Sequence, residues 1–184
     1  LPGVRYAAIG NGNGVPLLGP HFSGTFTIED QGATESVRPI AKISAVSADY
    51  FRVLRTPLIR GRLFTDSDDQ GQPRVALVDE AAVERYFGNQ DPIGRRVKFG
   101  GRGSNAPLMT IAGVVGNIKT DGFDQPDQPH LYVPIFQNPN YAMAVYLQTD
   151  TDPLSLTKSL REQVQAVDPN LPLFGERTME DVVA

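Results

Sequence analysis

Alternating apolar and polar side chains, broken by glycine, proline and acidic turns, predict a chain built mostly from short strands. Two neighbouring strands, 95–99 and 108–115, are expected to pair as a hairpin, and Pro134 is expected to place its own strand at a sheet edge. The strand at 37–46 mixes apolar and polar residues on both faces. The predicted strands are 4–9, 24–29, 37–46, 58–64 with its turn, 74–78, 95–99, 108–115, 130–136, 143–148 and 172–174.

Helices are predicted where polar capping residues precede an apolar stripe of helical spacing. Ser47, Asp79 and Asp152 stand at N-cap positions, and Gly88 is a natural stop for the helix that Asp79 begins. Strands outnumber helices and alternate with them only in places, so the fold class is α+β without an internal repeat. The predicted helices are 47–55, 80–87, 153–167, whose stripe is Leu156, Leu160, Val164 and Val167, and 179–184.

Length and composition narrow the classes of protein that fit. The 184 residues, 40% hydrophobic and 21% charged, suffice for one globular domain or two small lobes. The net charge of −4 and the lack of a basic face argue against nucleic-acid binding. No cysteine is present, which excludes disulfides, thiolate metal sites and cysteine nucleophiles. No apolar run approaches the roughly 20 residues of a membrane-spanning helix, and both ends read as cut points within a longer protein.

The acidic turn 66–71 is the best metal candidate in the sequence. Asp66, Asp68 and Gly71 match three positions of a calcium loop, but the twelfth position is Leu77 instead of the required glutamate. The spacing therefore predicts a solvated acidic turn, and no metal or cofactor is expected.

Residues for catalysis are sparse. His21 and His130 are the only histidines, no Gly-x-Ser-x-Gly elbow is present, and Asp79 and Glu80 are adjacent, so their carboxylates point apart. The chain is therefore predicted not to be an enzyme. Two alternatives stay open: a hydrolase with dispersed catalytic residues, and a ligand-binding or sensor domain with an enclosed polar pocket.

The long polar loop 116–129 is the candidate partner-binding element, because long loops without secondary structure are commonly functional. It carries Asp121, Phe123 and Asp124, and an exposed aromatic in a polar setting can anchor a partner. The alternative is that Phe123 folds back onto its own lobe.

Three stretches in order resemble the MacB-like periplasmic core domain of bacterial ABC-transporter permeases of the MacB and FtsX type. The family shows similar runs at similar spacing, and the likeness is strongest between residues 46 and 134. More narrowly, the chain resembles large permeases of the acidobacterial type. The stretches are VSADYF (46–51) with LIRGRLF (58–64), VALVDE (75–80) with YFG (86–88) and DPIGR (91–95), and IAGVVG (111–116) with YVP (132–134).

The resemblance implies an architecture and a role. The fold would be α+β and two-lobed, with a porter-like α/β sandwich lobe from residues 1–73 and 142–184 and an inserted, mainly β lobe at 74–141. The domain would be the periplasmic part of an inner-membrane permease. It would relay ATP-driven motion of the membrane helices to periplasmic partners or substrates. Its partners would be a cytoplasmic ATP-binding subunit or domain, through the parent permease, and a periplasmic protein.

Overall fold

Nine strands and four short helices make up the structure, a computed structural model that describes residues 1–12, 15–18, 21–29, 38–88, 90–139 and 141–184. The strands are β1 (Val4–Asn11), β2 (Ser23–Ile28), β3 (Ile40–Val46), β4 (Leu58–Gly61), β5 (Val75–Asp79), β6 (Arg96–Phe99), β7 (Met109–Val115), β8 (His130–Pro134) and β9 (Met143–Thr149). The helices are α1 (Tyr50–Val53), α2 (Glu80–Tyr86), α3 (Thr157–Val167), preceded by a 3-10 turn at Pro153–Leu156, and α4 (Met179–Val183).

Six of the strands close into a ring. Their order is β2-β6-β7-β5-β8-β3, and β2 also pairs with β3, which joins the two ends of that order. The first half of β2 pairs with β3 through Ser23 to Thr25, and the second half pairs with β6 through Phe26 to Ile28. The β6–β7 pair is the predicted hairpin. One strand that serves two neighbours therefore closes the sheet.

The main hydrophobic core fills this ring. All six strands contribute to one buried cluster, and a cluster shared by every strand of a ring lies inside it. Ala82 and Phe87, from α2 and its C-terminus, join the same cluster, so α2 covers one end of the ring. The strand residues of the cluster are Phe26, Ile28, Ala41, Ala45, Ala76, Val78, Val97, Met109, Ile111, Val114, Leu131 and Val133.

A second core lies on the outer face of the ring. Phe51 of α1 is fully buried and packs its ring at right angles to Tyr132 of β8, with centroids 5.0 Å apart. Tyr50, Phe64 and Leu77 complete the centre of this cluster. Alternate residues of β5 and β8 thus face two cores, which explains why these strands read as unbroken apolar runs.

The helix caps confirm one local prediction and correct another. Asp79 caps α2 as predicted, accepting a 2.8 Å hydrogen bond from the Ala82 amide, and Gly88 follows the helix with a positive φ of 54°. The prediction that Ser47 caps α1 is wrong. Its hydroxyl accepts from the Ile9 amide at 3.0 Å instead, because Ser47 lies beside β1 and the helix begins only at Tyr50.

The prediction of an edge strand at Pro134 is also wrong. The strand that contains it, β8, lies between β5 and β3. Pro134 is the last residue of β8, and the next ladder bond comes from the Ile135 amide to the Val46 carbonyl. A proline at the end of a central strand removes no bond from the interior of its ladder.

The outermost strand pair brings the start of the chain next to residue 150. β1 and β9 are antiparallel along their whole length, with Val4 opposite Thr149, and the Asp150 amide donates to the Gly3 carbonyl. After this point the chain packs loosely: the stripe of α3 is only half-buried, and Val167 is 83% exposed. The predicted strand at 172–174 is wrong, whereas the predicted helix after it forms as α4.

The fold class is confirmed as α+β, mostly sheet with few helices. The ring combines β2 and β3 with the four strands β5 to β8 of the segment 74–141. The lobe boundaries at 74 and 141 stay a prediction. Within the described ranges, no helix has the length and apolar character needed to cross a membrane.

Candidate functional site

A buried cation holds the 116–129 loop against the sheet. Lys42, in the middle of β3, has a side chain that is only 8% exposed. Its ammonium group donates to the hydroxyl of Thr120 and to the carboxylate of Asp121. A buried ammonium group is strongly destabilising without such partners. The loop therefore supplies the groups that make Lys42 acceptable in the fold.

Both histidines of the chain lie beside this ion pair. His130 starts β8 opposite Lys42, and its Nε2 lies 2.8 Å from the Ser44 hydroxyl. Its ring stacks on Tyr132 at 4.1 Å, while the His21 ring meets it edge-on at 6.3 Å. We call His21, Lys42, Ser44, Asp121 and His130 the histidine–lysine cluster.

The cluster favours neutral imidazoles. Burial lowers the pKa of His130 well below its ordinary value, and the nearby His21 and Lys42 lower it further. Burial and then Lys42 also lower the pKa of His21, although Asp121 opposes this shift. The His21 nitrogens make no well-formed hydrogen bond, although nearby backbone carbonyls favour protonation of the ring. Water-poor surroundings and a neighbouring cation therefore dominate at both rings.

Asp79 fixes the back of the cluster. Besides capping α2, its Oδ1 accepts from the backbone amide of His130 at 3.0 Å. Burial raises the pKa of the Asp79 carboxyl to about 7, and the negative charge of Asp127 adds to the shift. One carboxyl group therefore joins the start of β8, the end of β5 and the first turn of α2.

The base of the loop has further attachments. Lys119 and Asp127 form an ion pair of 2.9 Å across it. The Asn117 side chain donates to Asp127 at 3.1 Å and accepts from the Ala81 amide at 3.0 Å. The Leu17 amide donates to the carbonyl of Thr120 at 3.1 Å. These contacts hold the two ends of the loop and leave its middle projecting.

The three predicted loop residues therefore occupy different places. Asp121 lies at the base, where it binds Lys42. Phe123 and Asp124 lie at the exposed tip, and the Phe123 side chain is 61% exposed, so it does not fold back onto the domain. Gly122 precedes them with a φ of 128°, a conformation that favours glycine. The tip presents one large apolar group beside a carboxylate.

Ser44 and His130 are within hydrogen-bond reach, as a nucleophile and its base would be. Their exposed fractions are 1% and 3%, however, so a substrate has no route to the hydroxyl. A serine nucleophile also needs donors for the oxyanion next to a space for the reacting carbonyl. The geometry supports a structural pair that satisfies two buried polar groups.

The acidic turn 66–71 is organised by an arginine. Both oxygens of Asp68 accept from the Arg62 guanidinium, at 2.8 and 2.9 Å, and one also accepts from the Thr65 amide at 2.8 Å. The Arg62 hydrogen bonds are the main reason that the pKa of Asp68 lies below its usual value. Over the described ranges, no three or more histidine or acidic side chains are placed to hold a metal ion. Leu77, the twelfth position of the tested calcium loop, is fully buried.

Replacing Asp68 with alanine is expected to lower the free energy of unfolding by about 1–2 kcal/mol, because the Thr65 amide and the Arg62 guanidinium lose their acceptor. Urea denaturation at pH 7 measures the change. Asp66→Ala, an exposed carboxylate in the same turn, serves as the control and should change stability by less than about 0.5 kcal/mol. Equal losses in both variants would contradict the role assigned to Asp68.

The sequence prediction of a partner-binding loop, which stays a prediction, did not include Lys42 and Ser44. A signal was present: Lys42 and Ser44 alternate within the otherwise apolar run 39–46. A buried polar residue in a strand needs a partner from elsewhere in the chain. Which segment supplies that partner depends on the fold.

Residues 8–167 match the family model described as the MacB-like periplasmic core domain. Over 58 residues the chain is 43% identical to the macrolide export ATP-binding/permease protein MacB 2 of Aeromonas hydrophila, covering 32% of this chain and 9% of that protein. Over 83 residues it is 34% identical to MacB of Aggregatibacter actinomycetemcomitans, covering 45% and 12%. The chain spans about a tenth of the length of these relatives.

Solved structures show the same fold. The periplasmic region of MacB from Actinobacillus actinomycetemcomitans superposes with a TM-score of 0.62 at 20% identity, covering 91% of this chain and 69% of that one. The extracellular domain of the noncanonical ABC-type transporter YknZ, from Gram-positive bacteria, gives 0.59 at 19% identity, covering 92% and 77%. Both neighbours are extracytoplasmic domains of transporters. The family match over most of the sequence shows that the chain belongs to the MacB-like periplasmic core domains of ABC-transporter permeases.

Proposed function

We propose that this domain relays ATP-driven motion of the membrane helices of an inner-membrane permease to periplasmic partners or substrates. One observation carries the proposal: the start of β1 and the end of β9 are hydrogen-bonded neighbours, with Gly3 bound to Asp150. A domain inserted between two membrane helices needs both connections on the same side. This pairing holds the first residues beside residue 150, from which the chain continues into α3 and α4. Motion that enters at this point reaches the ring through the outer strand pair.

We propose that the 116–129 loop is the surface through which the domain contacts its periplasmic partner. Its base is fixed to the sheet by Lys42 and to the start of α2 through Asn117, so it moves with the ring. Its tip offers Phe123, an aromatic anchor of the kind that dominates small protein interfaces, next to the carboxylate of Asp124. A periplasmic protein with an apolar pocket and an adjacent basic group fits this tip. Asp121 contributes by holding the base.

The remaining proposals follow the family resemblance. ATP would come from a cytoplasmic ATP-binding subunit or domain of the parent permease, as the names of the curated relatives suggest. The domain itself would catalyse no reaction. The segments 1–73 and 142–184 would act as the porter-like lobe and 74–141 as the inserted lobe.

The ligand-binding alternative has less support. A surface cleft of about 370 Å³ lies beside the acidic turn, and Arg62, Asp68 and Val75 contribute to its lining. The two charged groups bind each other, so neither is left to orient a ligand. Specific ligand sites combine apolar walls with polar groups that converge on the ligand.

Placing a photo-crosslinking amino acid at position 123 of the full-length permease in cells tests the relay. We expect a defined crosslinked periplasmic protein whose yield depends on ATP hydrolysis, because both contact and coupling are required. The matched control is position 141, where Tyr141 is fully exposed but lies outside the loop. Equal capture at both positions, or capture that ignores ATP hydrolysis, would count against the proposal.

Phe123→Ala should weaken binding of that crosslinked partner by at least about tenfold, because an aromatic anchor contributes about 2 kcal/mol or more. The variant should unfold at the same temperature as the wild type within about 1 °C, since the side chain is mostly exposed. Titration calorimetry with the purified partner and thermal denaturation measure the two effects. Unchanged affinity, with Tyr141→Ala as the reference, would remove Phe123 from the interface.

A further inference from the structure

We propose that the histidine–lysine cluster is an acid-sensitive latch: it holds the 116–129 loop on the sheet at neutral pH and releases the loop when its imidazoles take up protons. The proposal concerns how the loop is held and does not depend on what docks at its tip. The observation behind it is one of position. Both histidines of the 184-residue chain lie next to Lys42, the buried lysine that binds this loop.

With the loop attached to the sheet, which we call the closed arrangement, an additional positive charge at either imidazole is unfavourable. His130 is 3% exposed, stacks on Tyr132 and points its Nε2 at the Ser44 hydroxyl. His21 lies edge-on to His130 without a well-formed hydrogen bond of its own. A proton on either ring would add a cation beside the Lys42 ammonium with little water to screen it. Release of the loop and of the segment around His21 lets water reach both rings.

The groups around the cluster do not cancel this effect. From the loop, the Asp121 carboxylate favours a proton on His21, but it is half-exposed and already bound to Lys42. From β8, burial raises the pKa of Tyr132 well above its usual value, so it stays neutral. From β5, Asp79 is bound to the amides of Ala82 and His130 and keeps these bonds whether or not the loop is attached. Asp127, in the loop, is paired with Lys119.

The direction and size of the effect follow from linkage. An imidazole with a lowered pKa in the closed state and the ordinary value of about 6.5 in the open state favours opening as pH falls below 6.5. Each such histidine shifts the equilibrium by up to tenfold per pH unit until its closed-state pKa is reached. Between pH 7.5 and 5.0 we therefore expect the open population to rise at least about tenfold.

Two backbone amides report loop attachment directly. The Leu17 amide donates to the Thr120 carbonyl, and the Ala81 amide donates to the Asn117 side chain. The Thr110 amide, which donates to the Arg74 carbonyl in the ring, is the internal reference. Amide exchange by NMR, corrected for the intrinsic rate at each pH, should show protection of the two reporters falling at least about tenfold from pH 7.5 to 5.0. The fall at the two reporters should exceed any fall at Thr110 by at least about tenfold.

Matched variants separate the latch from general acid unfolding. His21→Gln combined with His130→Gln should remove the pH dependence at both reporters, and Lys42→Met should leave them weakly protected at both pH values. Asp79→Asn, which keeps the helix cap, should retain the wild-type response. If the double variant does not fold, His21→Gln alone, at the less buried position, should roughly halve the logarithm of the response.

Two results would overturn the latch: reporters that keep their protection at pH 5.0, and reporters that lose it in step with Thr110. A third readout uses the wild type alone. With two histidines in the chain, the two imidazole C2–H signals are readily assigned, and both should titrate over the same pH range as the reporters. Titration of both rings without a change in reporter protection would also refute the proposal.

Discussion

Replacing Gly113 with alanine is expected to lower the free energy of unfolding by at least about 3 kcal/mol. Gly113 lies in β7 where β4 and β5 pass on either side. A Cβ atom there would lie 2.3 Å from the Arg62 carbonyl oxygen and 2.9 Å from a methyl carbon of Leu77. The first contact is with backbone, which can move only if β4 shifts away from β7. Urea denaturation of the two proteins measures the loss.

Gly103→Ala provides the control for the Gly113 variant. Gly103 lies in the turn between β6 and β7, and a Cβ atom at this position meets nothing within 4 Å. Its alanine variant should be as stable as the wild type to within about 0.5 kcal/mol. If Gly113→Ala lowered the free energy of unfolding no more than Gly103→Ala does, the close approach of β4 to β7 would be wrong.

The second large effect is the pH dependence of stability that Asp79 produces. Burial raises the pKa of its carboxyl from 3.8 to about 7. The folded protein therefore holds this proton more tightly than the unfolded chain, and ionisation of Asp79 destabilises the fold as pH rises from about 4 to 7. Asp79→Asn keeps an acceptor for the Ala82 and His130 amides but cannot ionise. The variant should gain stability relative to the wild type across this range, by about 2–4 kcal/mol in total.

The difference between the two proteins isolates the carboxyl group, because both retain His21 and His130. Denaturation at pH steps from 4 to 8 should show that the difference in free energy of unfolding between Asp79→Asn and the wild type increases up to about pH 7. Above pH 7 this difference should stay constant. A gap that is independent of pH would mean that Asp79 ionises in the fold as easily as in the unfolded chain. Asp68→Asn is the contrasting control: its pKa is lowered, so its effect must run in the opposite direction.

Local sequence signals predicted the local structure well. The Asp79 cap, the Asp152 cap and the hairpin of β6 with β7 each depend on residues a few positions apart, and all three are present. The predicted cap at Ser47 is wrong because its hydroxyl accepts a hydrogen bond from the Ile9 amide, 38 residues away. A capping residue in a sequence is also a side chain that a neighbouring strand can use.

Closure of the ring could not be read from the sequence. It depends on β2 changing partner between Thr25 and Phe26, from β3 to β6. Alternation fixes which residues of a strand face inward but not which strands lie beside it. The error at Pro134 has the same origin, since the position of β8 between β5 and β3 is set by pairings with distant strands.

The candidate site was half predictable. The length and polarity of 116–129 identified the loop, and Phe123 is exposed as an anchor requires. The histidine–lysine cluster combines His21 with residues of β3, the loop and β8, which meet only in the folded chain. Lys42 within a mostly apolar strand indicates a buried polar site, but the sequence does not show which residues bind it.

The pairing of β1 with β9 also determines how the domain responds to force. Val4 and Thr149 form the first rung of that ladder, next to the bond between Gly3 and Asp150, and the chain continues from Asp150 into α3 and α4. A force that pulls residue 3 away from residue 150 would break the β1–β9 hydrogen bonds one after another, starting from this end. Little of that force would be transmitted to the ring. A load that moves both residues together would carry the ring as a rigid body. This strand pair would therefore carry a joint displacement of residues 3 and 150 to the ring, and it would open locally when the two residues are pulled apart.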